Sequence, residues 1–194
     1  MGKSINNNPI RTMKYLRKFI YVMIPILLAL PLSGLSQNTE QRDGSDEKLI
    51  NAAREIMAAA RTCALITLDE KNLPRVRIMD PFPPESDFTV WFGTNTKSRK
   101  VEQIKNNPNV TLYYVGKDSS GYVVIQGMAQ LVDDTKEKEN RWKAEWEAFY
   151  PDRTEGYLLI KVSPTWMEVI SYKHGIMGDP LTWQAPAVQF DSIK

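Results

Sequence analysis

Apolar positions along this chain recur with two different periods. From Glu47 to Arg61, Leu49, Ile50, Ala53, Ile56, Met57 and Ala60 return at helical spacing and share one face, and Asp46 stands where an N-cap is wanted. The period then shortens. "TCALITL" and "LPRVRIM" are strand-like runs on either side of the polar stretch Asp69 to Leu73, which reads as a hairpin turn. "PFPPES" cannot be a central strand, because its prolines lack donors. "DFTVWFGT" predicts a third strand. Ser98 then caps a short amphipathic helix that Pro108 stops. "NVTLYYVG" and "YVVIQGMAQLVD" predict a fourth and a long fifth strand around the turn "KDSSG", with Gly127 as a bulge or close-approach point. Asp134 opens a second helix, "DTKEKENRWKAEWEAFY", in which Trp142, Trp146 and Phe149 form an apolar stripe for the core or an interface. "YLLIKVSPTWMEVISY" predicts two last strands broken at Ser163-Pro164. The tail from Lys173 reads as loop, with Trp183 and Phe190 as anchors.

Sequential strands joined by short turns form an antiparallel meander. Six or seven of them without a second helical layer predict a small barrel: a mainly β, α+β fold with flanking helices.

The front of the chain is of another kind. Met1 to Lys18 carries Lys3, Arg11, Lys14, Arg17 and Lys18 and no acid, and Phe19 to Leu32 is almost wholly apolar. Gly34 and Ser36 then stand at −3 and −1 of a cleavage before Gln37. This is the pattern of a secretory signal peptide over 1–36, and it predicts an exported protein. The rival reading, a retained membrane anchor, suffers from a short run interrupted by Pro25 and Pro31, since a spanning helix needs about 20 residues. Met13 is a second possible start. The remaining chain divides into a flexible segment over 37–45, the barrel domain over 46–173 and a tail over 174–194. Of the 25 basic and 23 acidic residues, removal of the leader leaves 20 and 23, a net charge of −3. The mature part has no global basic surface to suggest nucleic acid.

Metal and triad chemistry have little to work with. Cys63 is the single cysteine and sits in an apolar run, so it reads as a buried small side chain, with an intermolecular bridge as the alternative. His174 is the single histidine. One His and one Cys do not make a typical zinc or copper site. A serine–histidine–carboxylate site would have to use His174, and no nucleophile-elbow motif accompanies it.

The stretch "WFGTNTKSRKVEQIKNNP" is more informative. A strand runs into a helix through Thr94, Asn95, Thr96 and Ser98, and Arg99 and Lys100 follow at once. Cations in a first helical turn oppose the helix dipole, so a bound anion would account for them. Solvated surface charge is the plainer alternative. Arg75 and Arg77, two apart on one strand, point to one face.

These segments, "RVRIM", "WFGTNTKSRKVEQIKNNPNVTLYYV", "YVVIQGMAQLV" and "TWMEVISY", together resemble the pyridoxamine 5′-phosphate oxidase-like FMN-binding split barrel, in its general stress protein 26-like branch. The resemblance covers about residues 47–172. It implies a split β-barrel homodimer with FMN in the groove between subunits, acting as an oxidoreductase or, alternatively, as a non-catalytic flavin-binding stress module. By the same resemblance Arg77, Arg99 and Lys100 would contact the phosphate, with Arg75 a weaker candidate; the corner's own chemistry adds the Thr94 and Ser98 hydroxyls. Thr94 would bond near the phosphate or ring. The backbone of Ile78 and Met79 would line the isoalloxazine edge. Gln126 or Gly127 would reach the flavin from the facing wall. Trp166 would pack by the ring or simply in the β core. The chain lacks the Arg-Leu-x-Pro-like terminus of the vitamin B6 oxidases, and Asp80-Pro81 follows "RVRIM" where those enzymes carry a lysine. Deazaflavin-using relatives share the fold; haem-handling relatives use histidines beyond a single His174. No residue stands out as a general acid or base.

Overall fold

The computed structural model describes residues 34–190, with side chains from residue 44 onward. Most of the predicted leader therefore lies outside the described residues. Among those residues no helix is long and apolar enough to cross a membrane.

The chain opens with α1 (Gly34–Ala59). Leu49, Ala52, Ala53, Ile56 and Met57 bury the predicted face in the main core. The helix begins earlier than the sequence suggested, so Asp46 lies within it rather than at its start, and the segment over 37–45 is helical. Gln37–Asp43 has no proline and several good helix formers, and Gly44 alone costs only about 1 kcal/mol.

Seven antiparallel strands follow: β1 (Cys63–Leu68), β2 (Pro74–Met79), β3 (Val90–Asn95), β4 (Asn109–Val115), β5 (Gly121–Val132), β6 (Tyr157–Ser171) and β7 (Ala187–Gln189). Their order is β2-β1-β4-β5-β6-β3, with β7 on β6, and the sheet does not close between β2 and β3. This is the mainly β, split-barrel arrangement with flanking helices. α2 (Arg99–Asn106) bridges β3 to β4, burying Val101 and Ile104 in the core.

Tyr157–Ser171 is one strand, not two. The sequence break at Ser163-Pro164 is absorbed as a bulge: Gln126 pairs with Trp166 but Gly127 pairs with Pro164, leaving Thr165 as the extra residue. The predicted special role of Gly127 holds, since a Cβ there would stand 2.4 Å from the Ser163 carbonyl oxygen. The bend lets β6 pair with β3 through its first half and with β7 through its second.

The second predicted helix is also divided. Asp134 does cap α3 (Thr135–Asn140), accepting from the Glu137 amide at 2.9 Å. The helix ends at Asn140, and Ala144–Ala148 forms a separate 3-10 turn. Splitting the segment lets Trp146 insert against Trp91, Tyr157 and Leu159 as a second, smaller core, while Phe149 of the expected stripe stays exposed.

Candidate functional site

Local chemistry first fixes the β1–β2 hairpin. Asp69 Oδ1 accepts the Lys71 and Leu73 amides, both at 2.9 Å. Its Oδ2 holds Arg75, with Nη2 at 2.6 Å. Arg75 is thus committed to the turn. Register places Leu65 opposite Arg77 and Thr67 opposite Arg75, so both arginines do lie on the inner face, as alternation predicts. Arg77 is the one that reaches inward: Nη1 donates to Thr67 Oγ1 at 2.7 Å and Nη2 to Gln103 Oε1 at 2.9 Å. The Thr67 hydroxyl itself donates to Gln103 Oε1 at 2.6 Å. Thr67, Arg77 and Gln103 therefore lock β1, β2 and α2 together.

The strand-to-helix corner supplies the facing side. Ser98 occupies the N-cap position of α2, but its hydroxyl makes no cap bond. It lies 3.1 Å from Thr94 Oγ1, which also accepts from Lys100 Nζ at 3.0 Å. The predicted capping role of Ser98 is thus replaced by a side-chain link across the corner. Just before the cap, the Lys97 N–H donates to Asn95 Oδ1 at 2.8 Å. Arg77, Ile78, Met79, Ser98, Arg99 and Lys100 line a hollow of about 240 Å³.

The electrostatics of this hollow are one-sided. Glu102, the nearest acid in sequence, is taken by Lys105 at 2.8 Å. Among the described residues no carboxylate pairs with Arg77, Arg99 or Lys100. Burial pushes Arg77 below its ordinary value, and neighbouring Arg99 and Arg75 add to this. Burial likewise lowers Lys100, with Arg77 as the second cause. Three cations crowd together without neutralisation. That arrangement is costly unless an anion joins them.

The residue range that forms this hairpin and corner also matches a known family. The family model described as "Pyridoxamine 5'-phosphate oxidase like" matches residues 48–185. The chain belongs to this family. It is 28% identical over 95 residues to General stress protein 26 of Bacillus subtilis (strain 168), a match covering 47% of this chain and 66% of that protein. The crystal structure of General Stress Protein 26 from Bacillus anthracis str. Sterne superimposes with a TM-score of 0.55 at 26% identity, covering 62% of this chain and 92% of that one. A general stress protein 26-related structure from Clostridium acetobutylicum gives 0.62 at 21% identity, covering 77% and 99%.

Within this family member the expected site residues fall into two groups. Arg77, Ile78, Met79, Ser98, Arg99 and Lys100 come together in the cationic hollow, and Thr94 bonds two of them. Arg75 is held by Asp69. Gln126 and Gly127 line a different hollow of about 350 Å³ with Ile66, Leu68, Asn109, Val110, Thr111 and Thr165. Trp166 pairs with Gln126 across β5 and β6, beside that second hollow. One chain therefore does not gather all the expected residues around one cavity.

Two contributors went unrecognised in the sequence. Gln103 and Thr67 complete the Arg77 anchor. Gln103 lies one helical turn after Arg99 on an amphipathic helix, and Thr67 alternates with Leu65; both spacings were available signals. The absence of a lysine after "RVRIM" also has a spatial counterpart. Asp80 pairs at 2.7 Å with Lys143, whose ammonium also donates to the Pro81 carbonyl at 3.1 Å.

Cys63 is buried and unpaired, and burial pushes its thiol up to about 12, which fits an inert packing residue rather than a nucleophile or bridge. Among the described residues no group of three or more His, Cys, Asp and Glu side chains is placed to hold a metal.

Proposed function

We propose that this chain is an exported FMN-binding homodimer that acts as a flavin-dependent oxidoreductase on a substrate still to be identified. The observation that carries the cofactor reading is the trio of Arg77, Arg99 and Lys100, which lines one small hollow with Ser98 and has no carboxylate partner among the described residues. A phosphate group suits this donor set: it is compact, multiply charged and accepts several charge-assisted bonds at once. Arg77, Arg99, Lys100 and Ser98 would hold the phosphate. The Ile78–Met79 backbone would flank the ring system. FMN, when bound, supplies the redox chemistry; the protein supplies placement and charge. The same corner would accept a deazaflavin phosphate. Haem finds less support, because His174 is hydrogen-bonded elsewhere.

Pairing of two subunits is supported by the outer sheet face. Alternation puts Ala64, Ile66, Val76, Ile78, Thr111, Tyr113 and Gln126 on one surface, and Val76 and Ile78 are 64% and 68% exposed. Such a patch on a strand pair marks an interaction surface. Its Gln126–Gly127 hollow is the part of the expected site that a single chain leaves apart from the cations. Export rests on the leader pattern over 1–36.

A non-catalytic flavin-binding module is the second reading. It is favoured by the lining of the cationic hollow, where no carboxylate, imidazole or thiol is present for proton transfer. Reduction of bound flavin by NADH or NADPH with turnover on an added acceptor separates the two. For the phosphate assignment, Arg99→Ala combined with Lys100→Ala should weaken FMN binding by about 1.5–3 kcal/mol per lost charge-assisted bond. Unchanged affinity by fluorescence titration removes both residues from the site.

A further inference from the structure

At the far end of β6, a short turn brings Ser171 and His174 against Glu55 of α1, which is distant in sequence. Ser171 and Ile176 exchange two backbone hydrogen bonds, at 2.9 and 2.8 Å, and close the loop between them. Gly175 adopts φ +60° to complete it, a conformation that suits glycine. The closed turn aims His174 back at its own start: Nδ1 lies 2.8 Å from Ser171 Oγ. The opposite ring nitrogen, Nε2, lies 3.1 Å from Glu55 Oε2 on α1. Lys173 pairs with the other oxygen of Glu55. Its hydrogen bond is the main cause holding the Glu55 carboxyl below its usual value, so the carboxylate is ionised at neutral pH.

We propose that Ser171, His174 and Glu55 form a second site, separate from the cationic corner, in which Ser171 is a nucleophile toward small carboxylic esters. The order nucleophile, base and orienting carboxylate is the one that acyl transfer requires, and it is recognised by geometry rather than by a motif. The imidazole uses Nδ1 toward the serine and Nε2 toward the carboxylate. In the neutral tautomer with its proton on Nε2, the Nδ1 lone pair faces the serine hydroxyl. Ser171 is only 3% exposed, yet it lines a hollow of about 400 Å³ together with His174, Glu55, Ile56, Lys117 and Lys173. Ile56 offers an apolar wall for a short acyl chain. Lys117 and Lys173 line the same hollow beside the Glu55 and Asp118 carboxylates, so its charges are mixed.

The chemistry balances without a redox partner. As Ser171 Oγ bonds to the carbonyl carbon, its proton passes to His174 Nδ1. That proton goes to the departing alkoxide when the ester C–O bond breaks, releasing an alcohol. Water then gives a proton to the same nitrogen as its oxygen bonds to the acyl carbon; the bond between that carbon and Ser171 Oγ breaks, a carboxylic acid leaves, and the proton returns to Oγ.

The test is to treat the purified full chain with a fluorophosphonate probe, map the adduct by peptide mass spectrometry, and follow p-nitrophenyl acetate hydrolysis in parallel. The proposal expects label on Ser171 and ester turnover. It also expects both rates to fall roughly 100-fold or more in a His174→Gln variant whose thermal unfolding is unchanged. No label on the unmodified protein, label on another serine, or equal labelling in folded His174→Gln overturns it.

Discussion

Gly93 has no room for a methyl group. A Cβ there would stand 2.5 Å from a ring carbon of Trp146, so the glycine of "WFGT" is what lets the second core close on β3. Gly93→Ala should destabilise the fold by about 1–3 kcal/mol through overpacking, read as a lower denaturant midpoint at constant slope. On β2, Arg75 and Arg77 show how far residue-level reading carries. Alternation placed both on one face. It was blind to Asp69, whose carboxylate captures Arg75 through a turn geometry that periodicity does not encode. Arg77 is left to Thr67 and Gln103, and Gln103→Ala should loosen it. FMN affinity should then fall with little change in global stability, compared by titration and thermal unfolding side by side. The sign of the pH dependence follows from Lys100. Its folded value lies below its unfolded one, so its charge opposes folding; this penalty is fully present below the folded value and is relieved as pH rises toward the unfolded value. A bound phosphate reverses the preference and favours the charged form. FMN affinity should therefore weaken as pH rises toward the ordinary lysine range, beginning below it. A flat affinity across that range places Lys100 outside the site.

At the scale of elements, the sequence marked where strands and helices lie but not always how many they are. Ser163-Pro164 looked like a strand end because proline cannot donate to a ladder. Pairing with β5 changed that meaning: the chain takes up the irregularity as a bulge opposite Gly127 and continues. The bulge is held by close backbone approach, so Gly127→Ala, whose methyl would meet the Ser163 carbonyl oxygen, should cost roughly 1–3 kcal/mol and be read in the same denaturant experiment. The helix after Asp134 failed in the opposite direction. Trp142 and Trp146 sit at helical spacing, yet Trp146 is placed by Phe82, Tyr150 and Tyr157 rings packed edge-on around it. Tertiary packing overrode a local period. α1 was read correctly as an amphipathic face, and only its start was misplaced, since Asp46 is a good cap in a chain with no need of one there.

For the whole molecule, the mainly β, helix-flanked split-barrel class was legible in the order of periods and turns, with the split implied by resemblance. Arg99 and Lys100 were legible as a cationic pair because they are adjacent in one stretch; that the fold lines the same hollow with Arg77 of β2 was not a matter of spacing. The division of the expected site between two hollows was not, since a single chain's alternation does not reveal what lies across its outer face. If two subunits pair over Val76, Ile78 and Tyr113, then Ile78→Asp should shift sedimentation from dimer to monomer and weaken FMN binding together with it. A monomeric unmodified protein contradicts the pairing. The most direct test of the central claim is FMN titration of the purified protein, followed by flavin fluorescence. Saturable quenching at about one FMN per subunit, lost when Arg99 and Lys100 are both replaced by alanine, is the predicted result. Absence of binding at high micromolar FMN would contradict it and leave the corner to another anion.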